Sequence, residues 1–117
     1  MRSVARSLLQ GISESLGMKP EAIIEQTGFD YGYQKIQLNI YPPCPQPDLA
    51  LGLPPHTDNS FLNILIQNGI CGLQVRHDGQ WVNVNPLPNS LIVNTGDELE
   101  VGLLHLTIHY FLCFGCK

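Results

Sequence analysis

Charge is scarce in this sequence: Asp, Glu, Lys and Arg together make up 14% of its 117 residues. The six Lys and Arg never gather into a basic stripe and the net charge is −4, so a nucleic-acid partner is not expected. Long apolar runs are missing as well. The most apolar stretch, Val101 to Phe114, holds two histidines and falls short of the ~20 residues a helix needs to cross a bilayer, so no membrane span is expected. The residues after Met1 run into a helical pattern rather than a hydrophobic leader with a cleavage site, which argues against a signal peptide. Four cysteines (Cys44, Cys71, Cys113 and Cys116) are too sparse for a secreted disulfide scaffold. A reducing, cytoplasmic setting is the expectation, with Cys44 and Cys71 as free thiols. The single Cys113-x-x-Cys116 pair has no partner pair and reads as accidental. What is present is apolar: 44% of the chain, enough for one domain with a modest core and not for two.

Two helices are predicted first. Val4, Leu8, Leu9, Ile12 and Leu16 recur at helical spacing, with Ser3 as the cap and Gly17 as the stop. A second, short helix runs from Glu21 to about Gln26 and ends at Gly28. The texture then changes. Lys35 to Tyr41 alternates polar and apolar residues, as a half-buried strand does. Pro42-Pro43-Cys44-Pro45-Gln46-Pro47 forces an extended loop. Further strands are expected at 61–67, on either side of the Asp78-Gly79 turn (73–76 and 80–84), and at 90–94. Leu73, Val75 and Trp81 are expected in the core. Helices followed by short, regularly spaced strands predict an all-β sandwich or barrel behind a helical flank.

The sharpest local feature is His56-Thr57-Asp58. Positions i and i+2 of an extended segment project to the same side, so an imidazole nitrogen and a carboxylate oxygen can aim at one point. That is two-thirds of a 2-His-1-carboxylate facial triad, which holds iron(II) and leaves positions open for oxygen and substrate. By spacing alone, the commoner reading is a loop histidine beside a turn aspartate.

The blocks around the pair carry a resemblance. They run Asn39-Ile40-Tyr41-Pro42-Pro43-Cys44-Pro45-Gln46-Pro47-Asp48-Leu49, then Gly52-Leu53-Pro54-Pro55-His56-Thr57-Asp58, then Gly72-Leu73-Gln74-Val75, Trp81-Val82 and Asn94-Thr95-Gly96-Asp97. In this order and spacing, residues 3–100 resemble the central segment of the plant iron(II)/2-oxoglutarate-dependent dioxygenases, which include flavonoid, gibberellin and alkaloid oxygenases. The resemblance implies a mainly β fold with N-terminal helices, built on an incomplete double-stranded β-helix (jelly-roll) core. Residues 1–30 would be its helical flank, 31–100 a partial dioxygenase core and 101–117 a divergent tail. It also implies Fe(II) and 2-oxoglutarate as cofactor and cosubstrate, with His56 and Asp58 on the metal and Asn39 and Tyr41 near the 2-oxoglutarate. The implied reaction is hydroxylation or desaturation of a small plant metabolite, by a monomer.

After Glu98-Leu99-Glu100 the sequence leaves the family pattern. The resemblance calls for an H-R pair, whose histidine is the third iron ligand, and an R-x-S element, whose arginine binds the far carboxylate of 2-oxoglutarate. This chain has no arginine after Arg76 and no serine after Ser90. Either His109 substitutes as the third ligand, with His105 a weaker candidate, or the tail is unrelated sequence. A truncated chain with impaired activity is therefore expected. Two rival readings stand beside it. One is an oxidase of the same fold that uses ascorbate in place of 2-oxoglutarate. The other is a metal-free β-sandwich that binds a ligand or partner.

Overall fold

The computed structural model describes residues 1–100 and the backbone of 112–115. The chain forms two compact units, Met1–Asn39 and Ile40–Lys117.

The first unit is a helical pair. Helix α1 (Arg2–Ser15) and helix α2 (Ala22–Thr27) bury Leu9, Ser13, Ile23 and Ile24. Leu9 and Ser13 lie one turn apart, so both face the same way. The Ser13 hydroxyl donates to the Leu9 carbonyl (2.9 Å) and accepts from the Ile23 amide (3.4 Å), which ties the two helices together without an orphaned polar group. Helix α1 closes on Gly17 at φ +73°, with the Met18 amide on the Ser13 carbonyl and the Gly17 amide on that of Glu14. This double closure needs a left-handed residue, and glycine takes that conformation without a Cβ penalty. At the other end the expected Ser3 cap is not used: the helix begins at Arg2 with Met1 as its N-cap and no side-chain capping bond. Arg2 instead reaches the Phe29 and Asp30 carbonyls, and Arg6 bridges Glu21 and Asp30.

The second unit is antiparallel β. After a short 3-10 turn (Pro47–Leu49), the strands are β1 (Leu51–His56), β2 (Leu62–Leu65), β3 (Leu73–His77), β4 (Gln80–Asn83) and β5 (Ile92–Thr95). A single helical turn, α3 (Asp97–Leu99), follows, and β6 (Leu112–Gly115) comes last. One sheet has the order β1-β6-β3-β4 and the other pairs β2 with β5. Leu73 and Leu99 are buried between these elements of the unit, as is Glu100, whose carboxylate accepts from the Thr95 hydroxyl. The β3–β4 hairpin turns at Asp78 (φ 48°) and Gly79 (φ 78°), the paired left-handed residues that a two-residue turn requires. A Cβ at Gly79 meets no atom but sits in a backbone conformation that L residues disfavour. Gly79→Ala is therefore expected to destabilise the chain by about 1 kcal/mol, read as a lower urea midpoint with an unchanged slope.

Several expectations need correction. The alternating segment 35–41 forms no ladder: no strand is assigned there, and Ile36, Leu38 and Ile40 are 86–88% exposed. Alternation supplies one apolar face, but a strand also needs a continuous ladder of N–H and C=O bonds to a neighbouring strand, and the described residues show no strand over this segment. Trp81 is not core. It lies on β4, the sheet edge, where all four residues are exposed. Conversely, β1 runs through Pro54 and Pro55, which the sequence places in an extended lead-in. The divergent tail contributes β6, which pairs with both β1 and β3. His105 and His109 lie outside the described residues. Cys44 and Cys71 are free, as expected.

Candidate metal centre

The site begins where β1 ends. His56 is the last residue of that strand, and the chain then turns through Asp58, Asn59 and Ser60 into β2. The β2–β5 register, Leu62↔Thr95 and Asn63↔Asn94, brings the end of β5 back against this turn. Four hydrogen bonds join the two segments. The Asp97 amide donates to the Asp58 carbonyl (2.8 Å) and the Gly96 amide to that of Phe61 (3.1 Å). The Thr57 hydroxyl donates to Asp97 Oδ2 (2.8 Å), and Asn94 Nδ2 donates to Asp58 Oδ2 (3.0 Å). A second amide, that of Ser60, also donates to the Asp58 carbonyl. The backbone on which Asp58 sits is thus held from both sides.

Within this frame the two side chains of the His56-x-Asp58 pair meet: Nε2 of His56 lies 3.4 Å from Oδ1 of Asp58. That separation exceeds the usual 2.7–3.2 Å range of a good N–H···O bond, so the pair is not closed on itself. The outer atom of each group is already engaged. His56 Nδ1 lies 2.9 Å from the Pro54 carbonyl oxygen, which can only accept. Nδ1 therefore carries the hydrogen, and in the neutral ring Nε2 offers its lone pair. On the carboxylate, Oδ2 takes the Asn94 amide, leaving Oδ1 to face the imidazole.

These residues fit a divalent metal ion. Two ligands about 2.0–2.2 Å from one ion stand roughly 3 Å apart when they subtend a right angle, close to the 3.4 Å found here. A neutral nitrogen and an anionic oxygen, each with its far atom hydrogen-bonded, are the donor chemistry such an ion takes. The side chains keep 34% and 25% of their surface exposed, so the shared face is open. Among the described residues, no third His, Cys, Asp or Glu completes a metal-binding group.

The other site candidates stand as follows. Asn39 is exposed, and its Oδ1 accepts from Gln37 Nε2 at 3.2 Å. Tyr41 is 40% exposed and belongs to the second unit. His109 lies outside the described residues. Sequence reasoning assigned no task to Asn94, Asp97 or Thr57, although Asn94-Thr95-Gly96-Asp97 is one of the blocks that carry the resemblance. The signal available was polar residues gathered at the end of an apolar strand, ahead of a glycine.

Residues 32–109 match the family model described as the 2OG-Fe(II) oxygenase superfamily. A flavonol synthase/flavanone 3-hydroxylase of Petunia hybrida is 45% identical over 101 residues, which cover 86% of this chain and 29% of that protein. An oxoglutarate-dependent flavonoid 7-O-demethylase of Ocimum basilicum is 48% identical over 103 residues, covering 86% and 27%. The chain thus spans less than a third of the curated relatives it matches. Among solved structures, JOX2 in complex with 2OG, Fe and JA superposes at a TM-score of 0.83 and 30% identity, over 98% of this chain and 34% of that one. A full-length Neurospora crassa protein in complex with alpha-KG and 5-formyluracil superposes at 0.74 over 99% of this chain and 39% of that one, at 15% identity, a likeness of fold alone. These oxygenases have the jelly-roll fold, so the expected fold class holds: mainly β with N-terminal helices and part of a double-stranded β-helix. With the match spanning both the turn that holds His56 and Asp58 and the β5 end that braces it, the chain belongs to the 2OG-Fe(II) oxygenase superfamily.

Proposed function

We propose that His56 and Asp58 are two protein ligands of an Fe(II) ion in an oxygenase that consumes 2-oxoglutarate and hydroxylates or desaturates a small plant metabolite. One observation carries this reading: Nε2 and Oδ1 face each other at 3.4 Å while Nδ1 and Oδ2 are tied to Pro54 and Asn94. Two groups oriented in this way, within ion-pair distance but beyond the length of a good hydrogen bond, suit a shared cation. When bound, the ion supplies the redox chemistry with oxygen and 2-oxoglutarate. The chain's own residues orient the donors and keep one face of them open.

Asn39 and Tyr41 are proposed at the 2-oxoglutarate, where a phenol hydroxyl can donate to a carboxylate and the ring can wall a pocket. His109 is proposed as the third protein ligand. The small-molecule substrate is of the class named in the flavonoid-oxidising relatives, and ascorbate is the cosubstrate of the competing reading.

Calorimetric titration of 2-oxoglutarate into the chain, with and without Mn(II) as a redox-inert stand-in for Fe(II), tests the proposal. Binding that requires the metal is expected, weakened by the lack of any arginine after Arg76, with little succinate release when Fe(II) and oxygen are supplied; clear turnover would show that the chain is not impaired. Metal uptake with no 2-oxoglutarate binding but with iron-dependent consumption of ascorbate would favour the ascorbate-using oxidase. No metal uptake at all would favour the metal-free binding module.

A further inference from the structure

We propose that Asn94 is the positioning residue for the metal-facing carboxylate. The proposal rests on the reading of His56 and Asp58 as metal ligands and adds the group that decides which way Asp58 points. Asn94 Nδ2 has two acceptors, Asp58 Oδ2 at 3.0 Å and the Thr95 carbonyl at 3.4 Å. Turning the amide over would set its oxygen against both of these oxygens, so the donor end is fixed toward Asp58. Its backbone is fixed as well: Asn94 lies within β5, opposite Asn63 of β2. The donor therefore comes from a paired strand, while the carboxylate it holds comes from a turn.

The residue type suits this task. A carboxylate has two oxygens, and a metal that uses one needs the other occupied for the group to stay in one rotamer. A lysine or arginine at position 94 would supply a strong bond but would also compete with the metal for the negative charge. A second carboxylate would repel Asp58. A neutral amide holds Oδ2 and leaves the full charge for Oδ1 and the ion. Hydrogen-bond partners of metal ligands typically contribute about 10–100-fold to metal affinity.

The test is Mn(II) affinity measured by calorimetry on chains shown to be folded by circular dichroism. Asn94→Ala is expected to raise the Kd by about 10–100-fold. Asn94→Thr keeps a residue that favours strands, but its hydroxyl falls one bond short of Asp58, so the same loss is expected if the alanine variant folds poorly. Ser60→Ala is the control. It removes the hydroxyl that donates to Asn63 Oδ1 in the same turn without touching the Asp58 side chain, and an unchanged Kd is expected. An Asn94→Thr or Asn94→Ala chain that binds Mn(II) as the parent does would overturn the proposal. Equal weakening in all three variants would also overturn it, because the turn would then be loosened in general. If the parent chain itself takes up no Mn(II), the metal reading fails, and the positioning role fails with it.

Discussion

Asp58→Ala is expected to weaken Mn(II) binding by at least about 100-fold, beyond the 10–100-fold typical of removing a mere hydrogen-bond partner of a ligand. The expectation rests on what the substitution leaves behind. The Asp58 side chain makes its contacts with Asn94 and His56, whereas the turn is held through its carbonyl, which accepts from the Ser60 and Asp97 amides. Alanine keeps that carbonyl. The fold is retained and the only anionic donor of the pair is lost. His56→Ala should weaken binding to a similar degree, since β1 is paired through its backbone and the ring's other contact is with Pro54 two residues away. Asp58→Asn is the finer probe: it keeps the shape and one oxygen but loses the charge, and should fall between the parent and Asp58→Ala. His109→Ala is expected to cost about 10-fold or more if that residue is the third ligand. Calorimetric titration of all four variants checks the set. Parent-like affinity in both Asp58→Ala and His56→Ala would reduce the pair to a structural contact.

The parts of this fold that could be read from sequence are those set by local chemistry. Asp78-Gly79 dictates its hairpin because two left-handed residues in succession permit few alternatives. Gly17 and Gly28 end their helices for a related reason, each at positive φ. The meeting of His56 and Asp58 was accessible because side chains two apart on extended backbone share a side. What was missed depends on distant partners. Pro54 and Pro55 argue against a strand, yet β1 contains both. It is an edge strand, and its register with β6 slips between Leu53 and His56, where the prolines sit. A ladder already broken there loses little from two missing donors. Residues 35–41 err in the opposite direction, with the right alternation but no strand assigned among the described residues. The role of Asn94 was invisible for a similar reason. Its amide matters only because the β2–β5 register returns it to a turn 36 residues earlier in the chain.

Gly96→Ala should be the most damaging small substitution in the second unit, costing at least about 3 kcal/mol. Gly96 has φ −107° and ψ 173°, ordinary extended backbone, so the argument is one of space and not of strain. A Cβ built there would overlap the Ser60 carbonyl oxygen and lie 2.6 Å from that of Asp58. Both are backbone atoms that cannot rotate aside. Relief requires moving the turn away from the end of β5. Overpacking of this kind costs about 1–3 kcal/mol. Separation would also stretch the bonds from Gly96 N to the Phe61 carbonyl and from Asp97 N to the Asp58 carbonyl, each worth about 1 kcal/mol. Against a total of about 5–15 kcal/mol for a typical domain, that is a large fraction. The same displacement would carry Asp58 away from Asn94, so Mn(II) affinity should fall along with the urea midpoint. Gly11→Ala provides the contrast. Gly11 lies inside α1 with no atom within 4 Å of its would-be Cβ, and alanine there should stabilise by about 0.5–1 kcal/mol. The two glycines differ in what surrounds them, and opposite shifts of the unfolding midpoint are the expected result. A parent-like midpoint and parent-like metal affinity in Gly96→Ala would mean that β5 and the Asp58 turn do not approach as closely as the fold requires, and the frame that aims the carboxylate would fall with that contact.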